Sequence, residues 1–214
     1  MAIAYPYDGV LYLAATRRCT LACVFCPKQH GRWRVAGNDL GHDAEPSADE
    51  LFAAAEALHP GTFREVAFVG LGEPTMRLAV VVEVGRRLRA CGHRVRLVTD
   101  GLASLREGRD VAPELAPAID EVVVSLNAAD PETYVKLCPN RYGPLAHGAA
   151  CDFIRSARLH LKRVEASVVA VPGLDLAACR RLAHELGVPL RERPWFDPLL
   201  GEPHERGPDA ARSR

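Results

Sequence analysis

Three cysteines lie close together near the start of the chain, in the segment Cys19-Thr-Leu-Ala-Cys23-Val-Phe-Cys26. Thiolates are soft ligands that bind iron or zinc, and the CxxxCxxC spacing places all three on one short loop. Structural zinc sites use four ligands, usually in two CxxC-like pairs, and electron-carrying iron–sulfur clusters usually have four cysteines. No second pair and no fourth cysteine is near in the sequence. The motif therefore predicts an iron–sulfur cluster that leaves one iron open to a ligand.

Two alternatives remain open from the residues alone: a zinc site with His30 as its fourth ligand, and a chance grouping of core cysteines. The total of seven cysteines is odd and does not form the paired framework of a small secreted protein. We expect the four scattered ones to be small buried apolar residues in a reducing compartment. These four are Cys91, Cys138, Cys151 and Cys179.

The cysteine motif directly follows the first of six short runs that are rich in valine or leucine, as buried parallel strands are. Helical patterns alternate with these runs, which predicts an α/β domain with a parallel sheet and right-handed crossovers. Six units suit either an open doubly wound sheet or a partial barrel, and in both the site gathers at the carboxyl ends of the strands. The predicted strands are residues 10–15, 65–70, 95–99, 121–126, 164–171 and 188–193.

Capping residues mark where several helices begin. Ser47-Ala-Asp-Glu50 has the spacing of a capping box, and Asp130-Pro131 places a capping residue before a proline at the first helical position. Asp175 is suited to cap the last helix, which Gly187 ends. These signals place helices in the connections between the predicted strands.

Composition limits the class of protein. The 214 residues are 48% hydrophobic and 25% charged, which fits a single globular domain, expected over residues 1–200 with a polar, disordered tail at 201–214. Lys plus Arg and Asp plus Glu number 27 each, so the overall charge does not indicate nucleic acid or an anionic membrane as a partner. No signal peptide and no apolar run of membrane-spanning length is visible, which predicts a cytoplasmic protein.

These residues resemble the radical S-adenosylmethionine (SAM) superfamily, whose signature is CxxxCxxC with an aromatic residue, here Phe25, before the last cysteine. The resemblance extends over nearly the whole chain. It implies a partial (β/α)6 barrel and a [4Fe-4S] cluster on Cys19, Cys23 and Cys26, whose open iron chelates the amino and carboxylate groups of SAM. Reductive cleavage of SAM would give a 5'-deoxyadenosyl radical that removes hydrogen from a substrate. An external one-electron reductant of the flavodoxin or ferredoxin type is implied as a partner.

Two further segments resemble the SAM-binding positions of this family. Gly70-Leu71-Gly72-Glu73 is similar to its Gly-Gly-Glu segment, which gives Glu73 the SAM amino group and leaves the close approach to Gly70 or Gly72. The alternative is a tight turn between strand and helix. Ser125 and Asn127, two apart on one strand face, are similar to ribose-contacting positions, or they only satisfy backbone groups in a turn.

The third and sixth predicted strands end in less specific polar residues. Thr99-Asp100-Gly101 resembles a Thr-Asn-Gly segment but has aspartate in place of asparagine, so Asp100 either faces the ligand or only stabilises the turn. Arg191 and Arg193 share one strand face and are candidates for binding an anionic substrate. They are equally typical of a solvated edge strand.

A basic, aromatic loop, Lys28 to Arg34, follows the cysteines. It is suited to gating the site or to touching a substrate, including nucleic acid, and is equally typical of a solvated loop. Segments 72–77 and 127–138 are similar to the TatD-associated radical SAM proteins, which implies a TatD-type hydrolase as a neighbour and leaves the substrate unknown. The competing function is a non-catalytic iron–sulfur or zinc protein, in electron transfer or structure. A nucleotide-binding module would need a fuller glycine fingerprint than this chain has.

Overall fold

The chain forms one α/β domain, and the computed structural model describes its residues 2–41 and 45–196. The predicted boundary at residue 200 and the predicted tail at 201–214 lie outside the described residues. The strands are β1 (Ala4–Tyr7), β2 (Val10–Leu13), β3 (Arg34–Val35), β4 (Asn38–Asp39), β5 (Val66–Phe68), β6 (Val95–Thr99), β7 (Glu121–Ser125), β8 (Arg163–Val169) and β9 (Leu190–Arg193). The α-helices are α1 (Ala48–Ala57), α2 (Leu78–Ala90), α3 (Ala103–Glu107), α4 (Ala112–Leu115), α5 (Pro131–Leu137), α6 (Leu145–His160) and α7 (Leu176–Glu185).

The main sheet has seven strands in the order β1-β2-β5-β6-β7-β8-β9. From β2 to β9 all neighbours are parallel, which confirms the six predicted strands. They follow one another in sequence order without the reversal that defines a doubly wound sheet. This order is compatible with the predicted partial (β/α)6 barrel, and it brings the strands' carboxyl ends to one edge.

The seventh strand, β1, was not predicted, and it pairs antiparallel with β2 through a two-residue turn at Asp8 and Gly9. Both turn residues have positive φ, 47° and 70°, as a type I′ hairpin requires. The Asp-Gly pair is a strong hairpin signal that the sequence analysis did not use. The hairpin adds an antiparallel edge to the parallel sheet.

One face of the sheet is apolar and packs on the helices. Leu13, Phe68, Leu97 and Val122 lie in one row across neighbouring strands, and all four are fully buried in the main core. Alternate residues on a strand point to opposite faces, so the intervening side chains lie on the other face.

That other face carries polar side chains, and near the amino-terminal half of the strands they pair with one another. Arg96 donates to Glu65 at 2.9 Å, and Arg94 pairs with Glu121. Buried charges are stable only when they are paired. On this face of the sheet, ion pairs therefore occupy the space at the amino-terminal half of the strands.

The predicted helix starts are confirmed. Ser47 and Glu50 form the capping box of α1, with Glu50 N donating to Ser47 Oγ at 3.2 Å. Asp130 caps α5 and Asp175 caps α7, each accepting a backbone N–H at 2.8 Å. Among the described residues, no helix combines the length and the hydrophobicity that crossing a bilayer requires.

Candidate functional site

The three cysteines lie on the loop that follows β2, and each is half-buried. This loop is fixed by backbone hydrogen bonds to the segment just after α5. Ala22 N donates to Pro139 O at 2.8 Å, and Val24 N donates to Leu137 O at 2.9 Å. Helix α5 ends at Leu137, as the following Pro139 requires, and the broken helix leaves backbone groups that the loop uses. The sequence analysis placed one helix here and missed this contact.

The turn after β5 packs directly against the start of the cysteine loop. Glu73 N donates to Arg18 O at 2.8 Å. A Cβ added at Gly72 would lie 2.1 Å from Thr16 O, whereas one added at Gly70 would meet its nearest atom at 3.4 Å. Of the two glycines, Gly72 therefore provides the close approach, and what approaches it is the chain's own backbone.

The Glu73 carboxylate is buried and hydrogen-bonded within the protein. Its Oε1 accepts from Thr75 N at 2.9 Å, from Thr75 Oγ1 at 2.6 Å and from Thr99 Oγ1 at 2.7 Å, and its Oε2 accepts from Asp100 N at 2.7 Å. Burial, and then the charge of Asp100, raise the pKa of Glu73 to about 7. Glu73 thus joins the turn after β5 to the end of β6, and its contact with SAM stays a prediction.

Asp100 joins the cysteine loop to the end of β6. It is buried, its Oδ2 accepts from Thr20 Oγ1 at 2.7 Å, and its Oδ1 accepts from Leu102 N at 2.9 Å. Burial raises the pKa of this carboxyl as well. Asp100 therefore stabilises its own turn and also positions the residue next to Cys19.

The thiols of the motif have raised pKa values. Burial, and then the charges of Glu73 and Asp100, raise the pKa of Cys19 to about 12. The hydrogen bond with Cys138, and then burial, raise the pKa of Cys23, and burial raises that of Cys26. Such thiols are poor nucleophiles, whereas a bound metal cation deprotonates them. The electrostatics favour metal-ligating cysteines over a catalytic cysteine nucleophile.

Cys138 corrects one expectation from the sequence. It is fully buried, as predicted, but its Sγ lies 3.3 Å from Cys23 Sγ, so a fourth cysteine is near the motif in space. The two residues are 115 positions apart, and only the docking of the cysteine loop onto the broken helix brings them together. Cys151 and Cys179 are buried as predicted. The same prediction for Cys91 is wrong, because this residue is exposed where α2 ends.

The side chains at the motif are not arranged as the ligands of a single metal ion. Among the described residues, no three His, Cys, Asp or Glu side chains converge as ligands of one metal ion. A multi-iron cluster places its thiolates on separate irons, so their sulfurs stand farther apart than on one ion. His30, the candidate fourth zinc ligand, is exposed, and its Nε2 lies 2.9 Å from Val24 O.

Buried polar atoms without partners lie where β7 and β8 end. Asn127 is 1% exposed and has a positive φ of 58°, uncommon for a residue with a side chain. Its Oδ1 and the Oγ of the fully buried Ser167 find no hydrogen-bond partner within the described part of the chain. Ser167 pairs in register with Ser125, which is half-buried. Unpaired buried polar atoms are rare and mark a place where a ligand can pair. Sequence analysis missed Ser167.

The two arginines of β9 differ in exposure and in ion pairing. Arg191 is exposed, forms ion pairs with Glu165 and Glu121, and lines a cavity of about 440 Å³ at the amino-terminal end of the strands. Arg193 Nε is buried and unpaired among residues 2–41 and 45–196, and burial lowers the pKa of its guanidinium. Arg193 also lies within electrostatic range of Cys23.

The Lys28 to Arg34 loop packs on the cysteine loop. Lys28 Nζ donates to Arg17 O at 3.2 Å, and the Arg17 guanidinium lies 4.0 Å from the ring centroid of Trp33. Phe25, between the second and third cysteines, packs against the main core. These contacts hold the cysteine loop in place.

Comparison with known proteins identifies the family. The profile of the Radical SAM superfamily matches residues 13–186. A probable GTP 3',8-cyclase of Methanopyrus kandleri is 29% identical over 200 residues, which are 89% of this chain and 60% of that protein. The dual-specificity RNA methyltransferase RlmN of Halorhodospira halophila is 26% identical over 216 residues, 95% of this chain and 57% of that protein. The chain spans about three fifths of these relatives.

Solved structures share the fold. Native anSMEcpe with bound AdoMet superposes with a TM-score of 0.64 at 16% identity, over 90% of this chain and 53% of that one. A radical SAM methyltransferase from Sphaerobacter thermophilus gives a TM-score of 0.60 at 18% identity, over 89% of this chain and 68% of that one. At such low identity the likeness concerns the architecture, and it agrees with the mostly parallel sheet.

Proposed function

The chain belongs to the radical SAM superfamily, and on that premise we propose that it is a radical SAM enzyme, an oxidoreductase or modifying enzyme. Its [4Fe-4S] cluster would be held by Cys19, Cys23 and Cys26. When bound, the cluster supplies an electron for reductive cleavage of SAM to a 5'-deoxyadenosyl radical, which abstracts hydrogen from a substrate. The observation that carries the proposal is the docked loop, which presents three half-buried thiols at the carboxyl ends of the strands.

The residues around the motif fit a bound organic ligand. Asn127 Oδ1 and Ser167 Oγ are buried, and neither has a partner among the described residues. In our proposal, the hydroxyl groups of SAM form hydrogen bonds with the side chains of Ser125, Asn127 and Ser167. Glu73 Oε2 accepts a hydrogen bond from Asp100 N, and a carboxylate oxygen has room to accept another from the SAM amino group. These contacts would orient the ligand and exclude water.

The substrate is unassigned, and Arg193 is the residue we propose to contact it. Its buried, unpaired guanidinium nitrogen favours an anionic group on the substrate, because a buried cation is stabilised by a counter-charge. Arg191 is excluded from this role because it pairs with Glu165. The relatives include a probable cyclase and an RNA methyltransferase, so they do not agree on a substrate class.

Two partners belong to the proposal. An external one-electron reductant of the flavodoxin or ferredoxin type would reduce the cluster. The segments 72–77 and 127–138, similar to TatD-associated radical SAM proteins, support a TatD-type hydrolase as an associated protein. Co-elution of the purified chain with a purified TatD-type hydrolase in anaerobic size-exclusion chromatography tests this association, and separate elution at concentrations of about 10 μM speaks against it.

A second candidate, an electron-transfer protein with a fully ligated cluster, is favoured by one observation. Cys138 lies 3.3 Å from Cys23 and brings a fourth thiol to the motif. Against it, sulfurs that ligate one tetrahedral ion stand about 3.8 Å apart, and ligands on separate irons stand farther apart still. Two sulfurs in contact at 3.3 Å are closer than either arrangement.

Anaerobic reconstitution separates the two functions. The wild-type protein should bind iron and sulfide and, with dithionite and SAM, release 5'-deoxyadenosine measured by liquid chromatography. Cys23→Ala should abolish the release, whereas Cys151→Ala, a matched change at a buried cysteine in α6, should leave it intact. A zinc-loaded protein, or a cluster-loaded protein that leaves SAM uncleaved, contradicts the enzyme.

A further inference from the structure

A chain of two side-chain contacts connects the end of β7 with the cysteine loop. Asn127 Nδ2 donates to Cys138 Sγ at 3.4 Å, and Cys138 Sγ lies 3.3 Å from Cys23 Sγ. Cys138 has no exposed surface, and Asn127 is 1% exposed. Water therefore does not compete for these contacts, and a hydrogen bond in such surroundings is electrostatically stronger than in water.

The geometry of these contacts is fixed by the backbone on both sides. Cys138 N donates to Tyr134 O at 2.7 Å, which ends helix α5. The Cys23 backbone lies between Ala22 and Val24, which bond Pro139 and Leu137 on either side of Cys138. Backbone hydrogen bonds between the two segments therefore hold the two sulfurs opposite each other.

The direction of the hydrogen bonds follows from counting protons. A thiol carries one proton, and an amide NH₂ can only donate. Because Asn127 donates to Cys138 Sγ, the single S–H of Cys138 is free to point away, toward Cys23. A Cys23 sulfur that ligates iron has no proton, so in the cluster-bound protein Cys138 is the donor and Cys23 the acceptor.

We propose that Cys138 is a positioning residue that donates a hydrogen bond to the cluster-bound sulfur of Cys23, with Asn127 holding its thiol in that orientation. The inference rests on the proposed function, since it requires a cluster on Cys23. Hydrogen bonds to ligating sulfurs withdraw negative charge and are one of the factors that set cluster reduction potentials. The role of Cys138 is to make the cluster easier to reduce.

The test is an anaerobic potentiometric titration of the reconstituted cluster, followed by electron paramagnetic resonance and carried out without SAM. Cys138→Ala removes the donor and should lower the ratio of reduced to oxidised cluster about tenfold at a fixed potential, a shift of about 59 mV. Cys138→Ser keeps a donor and should stay within about threefold of the wild type. Cys151→Ala controls for the loss of a buried thiol outside the motif.

The possible outcomes separate this inference from the proposed function. A wild-type protein that binds no iron–sulfur cluster overturns both. A wild-type protein that cleaves SAM, with equal potentials in the wild type and Cys138→Ala, overturns only the role of Cys138. Equal shifts in the alanine and serine variants overturn it too, because packing rather than a donor would then be responsible. If Cys138→Ala holds no cluster, a serine variant near the wild-type potential supports the donor, and cluster loss in both variants overturns it.

Discussion

Gly72→Ala should disturb the cysteine loop from a position that carries no functional group. The added Cβ would lie 2.1 Å from Thr16 O and 2.8 Å from the carbonyl carbon of the same residue. Both are backbone atoms, so no rotamer change relieves the contact. The Thr16 backbone, three residues before Cys19, must move by about 1 Å to reach an ordinary contact distance.

The cost follows from this overlap. Overpacking that shifts backbone costs about 1–3 kcal/mol, while replacing glycine by alanine restricts the unfolded chain and returns about 0.4–1 kcal/mol. Gly70→Ala is the matched control for stability, because its Cβ would meet Ala14 Cβ at 3.4 Å, an ordinary contact. We expect Gly72→Ala to unfold about 2 kcal/mol more easily than Gly70→Ala.

Urea unfolding of the cluster-free variants under reducing, anaerobic conditions measures this difference. Iron and sulfide content after reconstitution, compared with the wild type, reports the loop itself. A displacement of about 1 Å at a reacting site can cost about a hundredfold in rate, so 5'-deoxyadenosine release should fall to about 1% in Gly72→Ala. Equal unfolding free energies in the two variants, together with a full cluster in Gly72→Ala, would refute the close packing of the β5 turn on the cysteine loop.

Four other variants test separate parts of the site. Because the folded-state pKa of Glu73 is raised to about 7, its stabilising contribution is present at low pH and is lost as pH rises through that value. We therefore compare the unfolding free energies of the cluster-free wild type and Glu73→Gln. The wild type's value minus the variant's should fall by at most about 3 kcal/mol as pH rises from about 5 to about 8. A difference that does not change with pH contradicts the raised pKa. His147, whose pKa burial lowers, acts with the opposite sign but cancels in this comparison. Asn127→Gly, which tolerates the positive φ, should weaken SAM binding to the cluster-loaded protein about tenfold in equilibrium dialysis, and an unchanged Kd removes Asn127 from the ligand site. Arg191→Met should lower the unfolding free energy by about 1 kcal/mol because it removes the ion pair with Glu165, while Glu121 keeps its ion pair with Arg94. Arg193→Met should leave the unfolding free energy equal or higher, and the reverse order in a denaturation series would show that Arg193 is paired.

The sequence predicted what depends on local pattern. A few neighbouring residues encode each of the features that were predicted. These are the strand runs, the position of the cysteine motif at a strand's carboxyl end, and the capping residues Ser47, Asp130 and Asp175. Hydrophobic periodicity and capping chemistry act over that range. Assignment to the superfamily followed from the same short segments and is borne out by the profile match over residues 13–186.

The features that escaped the sequence depend on contacts between distant segments. Cys138 was expected to be a passive core residue, and its contact with Cys23 depends on a loop that docks onto a helix break 115 positions away. The Cys138-Pro139 pair signals the break but not what fills it. Ser167 looked like an ordinary strand residue, and only the register with Ser125 places it at the site.

The two arginines show the same limit. Sequence alternation correctly predicts that Arg191 and Arg193 share a face, because they are two apart on β9. Their difference comes from the neighbouring strands, which place Glu165 and Glu121 within reach of Arg191. Among the described residues, Arg193 Nε has no hydrogen-bond partner. Pairing of charges across a sheet is a property of register, which a single sequence does not display.

In the proposed site, three cysteines hold the cluster and the fourth iron is open to SAM. Electron–nuclear double resonance of the reduced, reconstituted protein with SAM carrying ¹⁷O in its carboxylate tests it directly. We expect a hyperfine coupling from the labelled oxygen to the cluster, in the wild type and in Cys138→Ser alike. Absence of that coupling in a cluster-loaded protein, with a spectrum unchanged by SAM, would show that SAM does not bind the fourth iron and would contradict the proposed site.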